Sequence, residues 1–390
     1  MIDVLLLFFV VVLVTFVFGE LFSRIGLPRM IGQILAGLVL GFPFFSGMIS
    51  AEAILSISLL SQIGIIFLLI LTGLEIDLKK IKDSSKDVLL IAFSCVLIPF
   101  AFGFAFTLLI GQSLLVAFVV GSALSLTSEA TKTIVLIQAN VLKTRLGQMM
   151  VIAGTADDIF ELLFLSLLLV LIGQGTGNGL IVLPFEIIGF FLVVFIALKV
   201  LPRIVVLFKQ ESDESYFTLA VLIGLAIALF STALALGPII GALFAGLLLQ
   251  KAIKSQKAEH TIEKNLRIVT FGLIIPFFYV HIGLNFSMND FFAFPVMALA
   301  VLLIAFFGKM AGALLVKPFS KLNLTQLTLV GWGMNSRGVM ELIIIEVARI
   351  NIPDFPPELY SAIVFMTIVT TLAFPVALQY YLKKYPKIMD

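Results

Sequence analysis

Apolar stretches long enough to cross a bilayer recur thirteen times in this 390-residue chain, and that feature leaves few folds open. A hydrocarbon core about 30 Å thick takes about 20 mostly apolar residues per helix. The stretches cover approximately 2–23, 29–45, 54–74, 87–110, 113–138, 145–173, 178–208, 215–232, 236–253, 266–286, 290–316, 322–348 and 358–381. In lipid each backbone N–H and C=O must be satisfied within the segment, so the chain reads as an all-α polytopic membrane protein. Its residues are 61% hydrophobic and 12% charged, against about 45–50% and about 25% in soluble domains. That balance excludes a water-soluble globule, a disordered chain and a nucleic-acid-binding module. With one cysteine, Cys95, neither an intrachain disulfide framework nor a thiolate metal cluster is expected, and no cofactor is implied.

Lys and Arg set the expected orientation. With the connections taken in alternation, twenty of these residues fall on one side and Arg349 alone on the other, while Lys132, Lys199, Lys309 and Arg337 lie within spans. The positive-inside rule then puts the N-terminus outside and the C-terminus in the cytoplasm. Asp3 precedes the first apolar run and no positive region does, so this run is read as a span rather than a signal peptide. Short loops and the lack of a targeting segment point to a prokaryotic cytoplasmic membrane.

The chain also resembles itself. IGQILAGLVL from Ile31 matches IGALFAGLLL from Ile240; Gly73-Leu74 matches Gly283-Leu284; VGSALSLTSEAT from Val120 matches VGWGMNSRGVME from Val330. The offsets are 209, 210 and 210. Residues 1–173 therefore read as a first six-helix repeat, 174–210 as a linker helix, 211–384 as a second repeat and 385–390 as a short cytoplasmic tail. A shift of seven crossings is odd, so the copies would be inverted in the membrane, an arrangement belonging to secondary transporters. The pair Gly37 and Gly41 fits close helix packing.

Charge at a helix centre costs about 2.5–3.5 kcal/mol on insertion scales, so ionisable residues there are functional candidates. Asp157 and Asp158 lie in span six, about 18 Å in from Arg145 at 1.5 Å per residue. Adjacent carboxylates point about 100° apart and can hold different protonation states. Glu161 follows close to the same face. Lys309, in FFGKMAGALL, needs an acidic partner, and span six offers one. SLTSEATKT in span five, with Thr127, Ser128, Glu129, Thr131 and Lys132, and GWGMNSRG in span twelve, with Arg337, are too polar or too glycine-rich for a continuous membrane helix. Broken helices lining a cavity explain them, with Glu129, Lys132 and Arg337 offsetting the exposed helix dipoles. Arg337 and Glu341 read equally well as a buried structural pair. His281 and Trp332 read as interfacial and packing residues.

The order GTADDIFELL, GKMAG, GMNSRGVMELI, together with RMIGQILAGLVLG and GLEIDLKKI, resembles the monovalent cation/proton antiporter superfamily. The resemblance is to its second family and the sodium/proton exchangers within it, over residues 2–381. It implies a six-helix core moving against a dimerisation and gating portion, with spans five and twelve unwound and crossed, and a homodimer. By motif position Asp158 would carry the cation and the proton, with Asp157 as a further Na⁺ ligand that pairs with Lys309 and takes part in proton release. Paired aspartates with this lysine resemble the electrogenic branch. The chain departs from some relatives at Val339, where an acid would stand, and at Glu129.

The expected activity is therefore exchange of Na⁺ or Li⁺ for H⁺ by alternating access, the monovalent cation held by Asp158 with oxygens of Thr127, Ser128 or Thr131. A K⁺/H⁺ antiporter is the nearest alternative, and a sodium-coupled organic-solute symporter a more distant one. An intramembrane aspartyl protease is excluded because neighbouring aspartates cannot converge on one water; the chain is not read as an enzyme.

Overall fold

The computed structural model describes residues 4–75, 86–173, 199, 213–233, 237–253, 256–385 and 388–389. In chain order the helices are α1 (Val4–Arg24), α2 (Arg29–Gly41), α3 (Ala51–Glu75), α4 (Lys86–Leu109), α5 (Leu114–Ser125), α6 (Glu129–Gln138), α7 (Arg145–Gly173), α8 (Asp213–Ala233) and α9 (Gly237–Ala252). They continue as α10 (Gln256–Val269), a π-helical turn Thr270–Ile274, α11 (Ile275–Asn285), α12 (Met288–Ala293), α13 (Pro295–Leu315), α14 (Leu324–Met334), α15 (Met340–Asn351) and α16 (Pro357–Lys384). None of the described residues forms a β-strand, in agreement with the all-helical reading.

Seven helical segments among the described residues are long and apolar enough to cross a membrane, and Arg29–Gly41, Leu114–Ser125 and Pro238–Ala252 are shorter apolar helices. Expected span seven, 178–208, lies outside the described residues, Lys199 apart. Expected span ten differs at its start: the helix begins at Gln256, before the apolar run. The sequence QKAEHTIEKNLRIV alternates polar and apolar faces at helical spacing, so a helix forms there without the continuous apolarity that marks a span. Spans five and twelve are each two helices, α5 with α6 and α14 with α15, divided at 126–128 and 335–339.

Residue contacts divide the chain into two compact units. The first comprises Met1–Leu13, Phe44–Ile76 and Leu165–His281. Within it α3 and α9 approach until backbone touches backbone: a Cβ on Gly246 would stand 2.2 Å from the carbonyl oxygen of Ile70, and one on Gly73 2.3 Å from that of Leu243. Gln250 then donates to the Leu74 carbonyl at 2.7 Å, satisfying one of the carbonyls left open at the end of α3. Arg267 of α10 reaches Glu75 of α3 and Glu263 of its own helix.

The second unit comprises Val14–Pro43, Asp77–Phe164 and Ile282–Asp390. Its core gathers Cys95, Leu146, Met150, Ala153, Val330, Met334 and Phe374 from four helices, and Ile388 and Met389 join it. The Leu146 N–H donates to the Met389 carbonyl at 3.1 Å, which ties that segment to the start of α7. α14 starts from a reciprocal cap between Asn323 and Gln326, and α5 from Ser113, whose hydroxyl accepts from the Val116 N–H. α2 and α11 meet through glycine as α3 and α9 do, since a Cβ on Gly283 would lie 2.3 Å from the carbonyl carbon of Gly37. Close-packed backbones leave no room to relax, and overpacking costs about 1–3 kcal/mol. Gly246→Ala and Gly283→Ala should each lower the apparent melting temperature of the detergent-solubilised protein by several degrees, measured by intrinsic fluorescence. Unchanged melting in both would refute the contact geometry.

A buried cluster of ionisable side chains where two broken helices meet

The two interrupted spans meet at their breaks, and each supplies what the other lacks. A helix end leaves four N–H or C=O groups without intrahelical partners, which inside an apolar body must be satisfied by something else. At the end of α5, Arg337 donates to three carbonyls: through Nη2 to Leu124 at 2.7 Å, and through Nη1 to Leu126 and, at 3.4 Å, to Ala123. At the end of α14, the Met334 carbonyl accepts from Thr127 Oγ1 at 2.9 Å, and Asn335 Nδ2 bonds the Gly331 carbonyl at 2.9 Å. The Ser128 N–H donates to the Ser336 carbonyl at 2.8 Å and closes the crossing.

The helix starts are capped by negative or hydroxyl oxygens, as their positive dipole ends favour. Ser128 caps α6: its Oγ accepts from the Thr131 N–H at 3.2 Å and donates to Thr131 Oγ1 at 3.0 Å. Glu129 stands in the first turn of α6, where Thr155 Oγ1 donates to its Oε2 at 2.9 Å. At the start of α15, Glu341 Oε1 accepts from the Gly338 N–H at 2.8 Å. Arg337 and Glu341 thus each serve a helix end, and both are buried.

Beside this crossing, α7 presents Asp157 and α13 presents Lys309, both fully buried. The Lys309 ammonium lies 3.4 Å from Asp157 Oδ2 and donates to Thr127 Oγ1 at 2.6 Å. Asp157 Oδ1 is buried with no hydrogen-bond partner among the described residues. A carboxylate oxygen in that position costs desolvation that a bound proton or cation would recover. Asp158, next along α7, is half-buried. Lys132 is fully buried on α6, its ammonium 3.7 Å from Met334 Sδ. Asp157, Thr127, Ser128, Glu129, Thr131, Lys132, Lys309, Arg337 and Glu341 therefore fall in one unit with Asp158.

Glu161 continues α7, with its side chain outside the described residues. Trp332 packs edge-on against Phe306, ring centroids 4.8 Å apart, and His281 is buried in the other unit. Thr155, Asn335 and Met334 were not singled out from the sequence, although all three lie in the quoted motifs. A hydroxyl, an amide and a backbone carbonyl close to a break are the available signal. No cluster of three or more metal-ligating His, Cys, Asp or Glu side chains occurs among the described residues.

These features define an all-helical membrane protein that keeps ionisable side chains at the junction of two interrupted helices, the construction of secondary ion transporters. The chain belongs to the family described as sodium/hydrogen exchanger, transmembrane, whose pattern matches residues 8–384. Its relatives include a Na⁺/H⁺ antiporter of Enterococcus hirae, 29% identical over 383 residues that cover 96% of this chain and 97% of that one. Another is the Na⁺/H⁺-K⁺ antiporter GerN of Bacillus cereus, 28% identical and covering 93% and 92%. The solved structure of the sodium proton antiporter MjNhaP1 from Methanocaldococcus jannaschii at pH 8 shares the fold, with TM-score 0.73, 18% identity and 97% of each chain covered.

Arg337→Met removes the donor that serves three carbonyls, and hydrogen bonds to charged groups are worth about 1.5–3 kcal/mol each. The expected result is a loss of at least about 3 kcal/mol, read as little monodisperse protein and a large fall in melting temperature. Wild-type melting in this variant would show that the carbonyls find other donors.

Proposed function

We propose that the protein is a secondary active transporter that exchanges Na⁺ or Li⁺ for H⁺ by alternating access, with Asp158 and Asp157 as the groups that hold the ions. The observation that carries this reading is the buried Asp157 carboxylate, one oxygen on the Lys309 ammonium and the other without a hydrogen bond. A buried carboxylate oxygen that lacks a donor takes a proton when protons are abundant and a dehydrated monovalent cation when they are scarce. Competition for the same oxygens links the two fluxes. The cation travels as substrate, held by Asp158 with oxygens of Thr127, Ser128 and Thr131.

Lys309 has a defined part in that cycle. Its ammonium now occupies the space between Asp157 Oδ2 and Thr127 Oγ1. A cation that entered this space would displace the ammonium, so cation entry there and movement of the lysine are coupled. If Lys309 also gives up its proton at that step, the cycle carries net charge, which makes the exchange electrogenic. The strongly interacting carboxylates and lysine titrate as a group rather than singly.

The inverted-repeat organisation, 1–173 and 211–384 about a linker helix at 174–210, has support in the packing. Gly37 lies against Gly283, and Gly73 against Gly246. The repeat offsets map Gly37 onto Gly246 and Gly73 onto Gly283. The two contacts are thus the same contact with the copies exchanged. Assembly as a homodimer, an outer N-terminus, a cytoplasmic C-terminus and residence in a prokaryotic cytoplasmic membrane complete the proposal. The GerN name favours a second reading, in which K⁺ also enters.

Purified protein in liposomes with a preset pH gradient tests the reading: Na⁺, Li⁺ and K⁺ are added in turn and internal pH is followed. Na⁺ or Li⁺ should release the gradient, and Asp158→Asn should fall to the level of protein-free vesicles; full exchange in that variant removes the central claim. Lowering the pH on the cation side should raise the apparent KM for Na⁺ while leaving the maximal rate unchanged, because protons and Na⁺ compete. Lys309→Ala should slow exchange and alter the charge moved per Na⁺, read as current on a solid-supported membrane; an unchanged current per ion would remove Lys309 from the cycle.

A further inference from the structure

A second buried lysine stands beside the site and is not used by the exchange cycle above. Lys132 leaves α6 one turn after Glu129 and is fully buried. Its ammonium rests against α7 at Gly154, where a Cβ would lie 2.6 Å from Nζ and 3.2 Å from Cε. The missing side chain at 154 is the seat of the ammonium. Gly154 precedes Asp157 and Asp158 by three and four residues, so all three lie on neighbouring positions of one helix surface. Glu129, Asp157 and Asp158 all act electrostatically on Lys132. The atom to which it donates, Met334 Sδ at 3.7 Å, is a weak acceptor. Among the described residues the charge of Lys132 is therefore faced by the surrounding carboxylates rather than by a close partner of its own.

Charge balance gives this placement a consequence. Among the described side chains at this point, three carboxylates, Glu129, Asp157 and Asp158, face two ammoniums, Lys132 and Lys309. Arg337 and Glu341 are matched to helix ends of opposite sign. With all five in their charged forms one negative charge is left over, which a single monovalent cation neutralises. Without the Lys132 charge, two would be left.

We infer that Lys132 is a tethered counter-cation, seated at Gly154, that weakens the hold of the carboxylates on the transported cation and so sets the affinity at which the cation is released. The inference rests on the cation-exchange reading above. A fixed positive charge a few ångströms from the cation lowers its affinity by Coulomb repulsion even when it touches none of its ligands.

Two variants test this in the same liposomes. Lys132→Met removes the charge and keeps most of the volume; the apparent KM for Na⁺ should fall about tenfold, with a lower maximal rate because release becomes slow. Gly154→Ala removes no charge but fills the seat, pushing the charged end of Lys132 aside, and should shift KM by a measurable factor. In Lys132→Met that methyl group has no ammonium to displace, so the double variant should match Lys132→Met alone. A merely structural lysine would give the opposite sign, with poorer folding and no gain in affinity. Unchanged KM in Lys132→Met, or independent effects of the two substitutions, overturns the inference. Should Lys132→Met fail to fold, an unchanged KM in Gly154→Ala overturns it equally. Absence of cation-driven proton flux in the wild type would instead defeat the exchange reading itself.

Discussion

The rest of this structure depends on satisfying four helix ends in the interior of an apolar protein body. A continuous helix hides its backbone dipoles, but breaking one exposes carbonyls on one side of the gap and N–H groups on the other. Here two breaks are set against each other, so that the guanidinium of Arg337 serves carbonyls of α5 and the hydroxyl of Thr127 serves the last carbonyl of α14. Ser128 and Glu341 cap the two starts. Only because the backbone is satisfied in this way can Asp157, Lys309 and Lys132 stay buried beside it.

The same economy explains the residue types. Arg337 suits its place because a planar fork with several donors reaches more than one carbonyl, which a lysine would do less well. Lys309 suits its own place for the contrary reason: an ammonium on a flexible stem can leave one pair of oxygens for another. Thr127 bridges the two systems, giving its proton to the backbone of α14 and receiving the Lys309 ammonium on the same oxygen. A change at the site is thereby felt by the helix ends.

Much of this was legible in the sequence, and the exceptions have physical causes. Apolar length marked the helices, since lipid tolerates nothing else, and polar runs at mid-span marked both breaks. The start of α10 escaped because an amphipathic helix and a membrane span follow different patterns. The partnership of Thr155 with Glu129 escaped because hydroxyls in membrane helices commonly bond their own backbone, as Thr155 also does with Val151. The choice of Arg337 between Glu341 and the carbonyls of α5 could not be read from spacing, because i and i+4 geometry permits a pair without requiring one.

All of the ionisable residues at the crossing belong to one compact unit, together with the helix ends that hold them. On the proposed exchange reading, the groups that would hold the ion and the caps that steady them thus form one connected arrangement. Under that reading such an arrangement would keep its geometry through the exchange cycle, so selectivity and speed become separable traits. Substitutions away from the crossing would then alter the speed of that cycle while the chemistry of what the cluster accepts stays fixed, and the two properties could evolve independently.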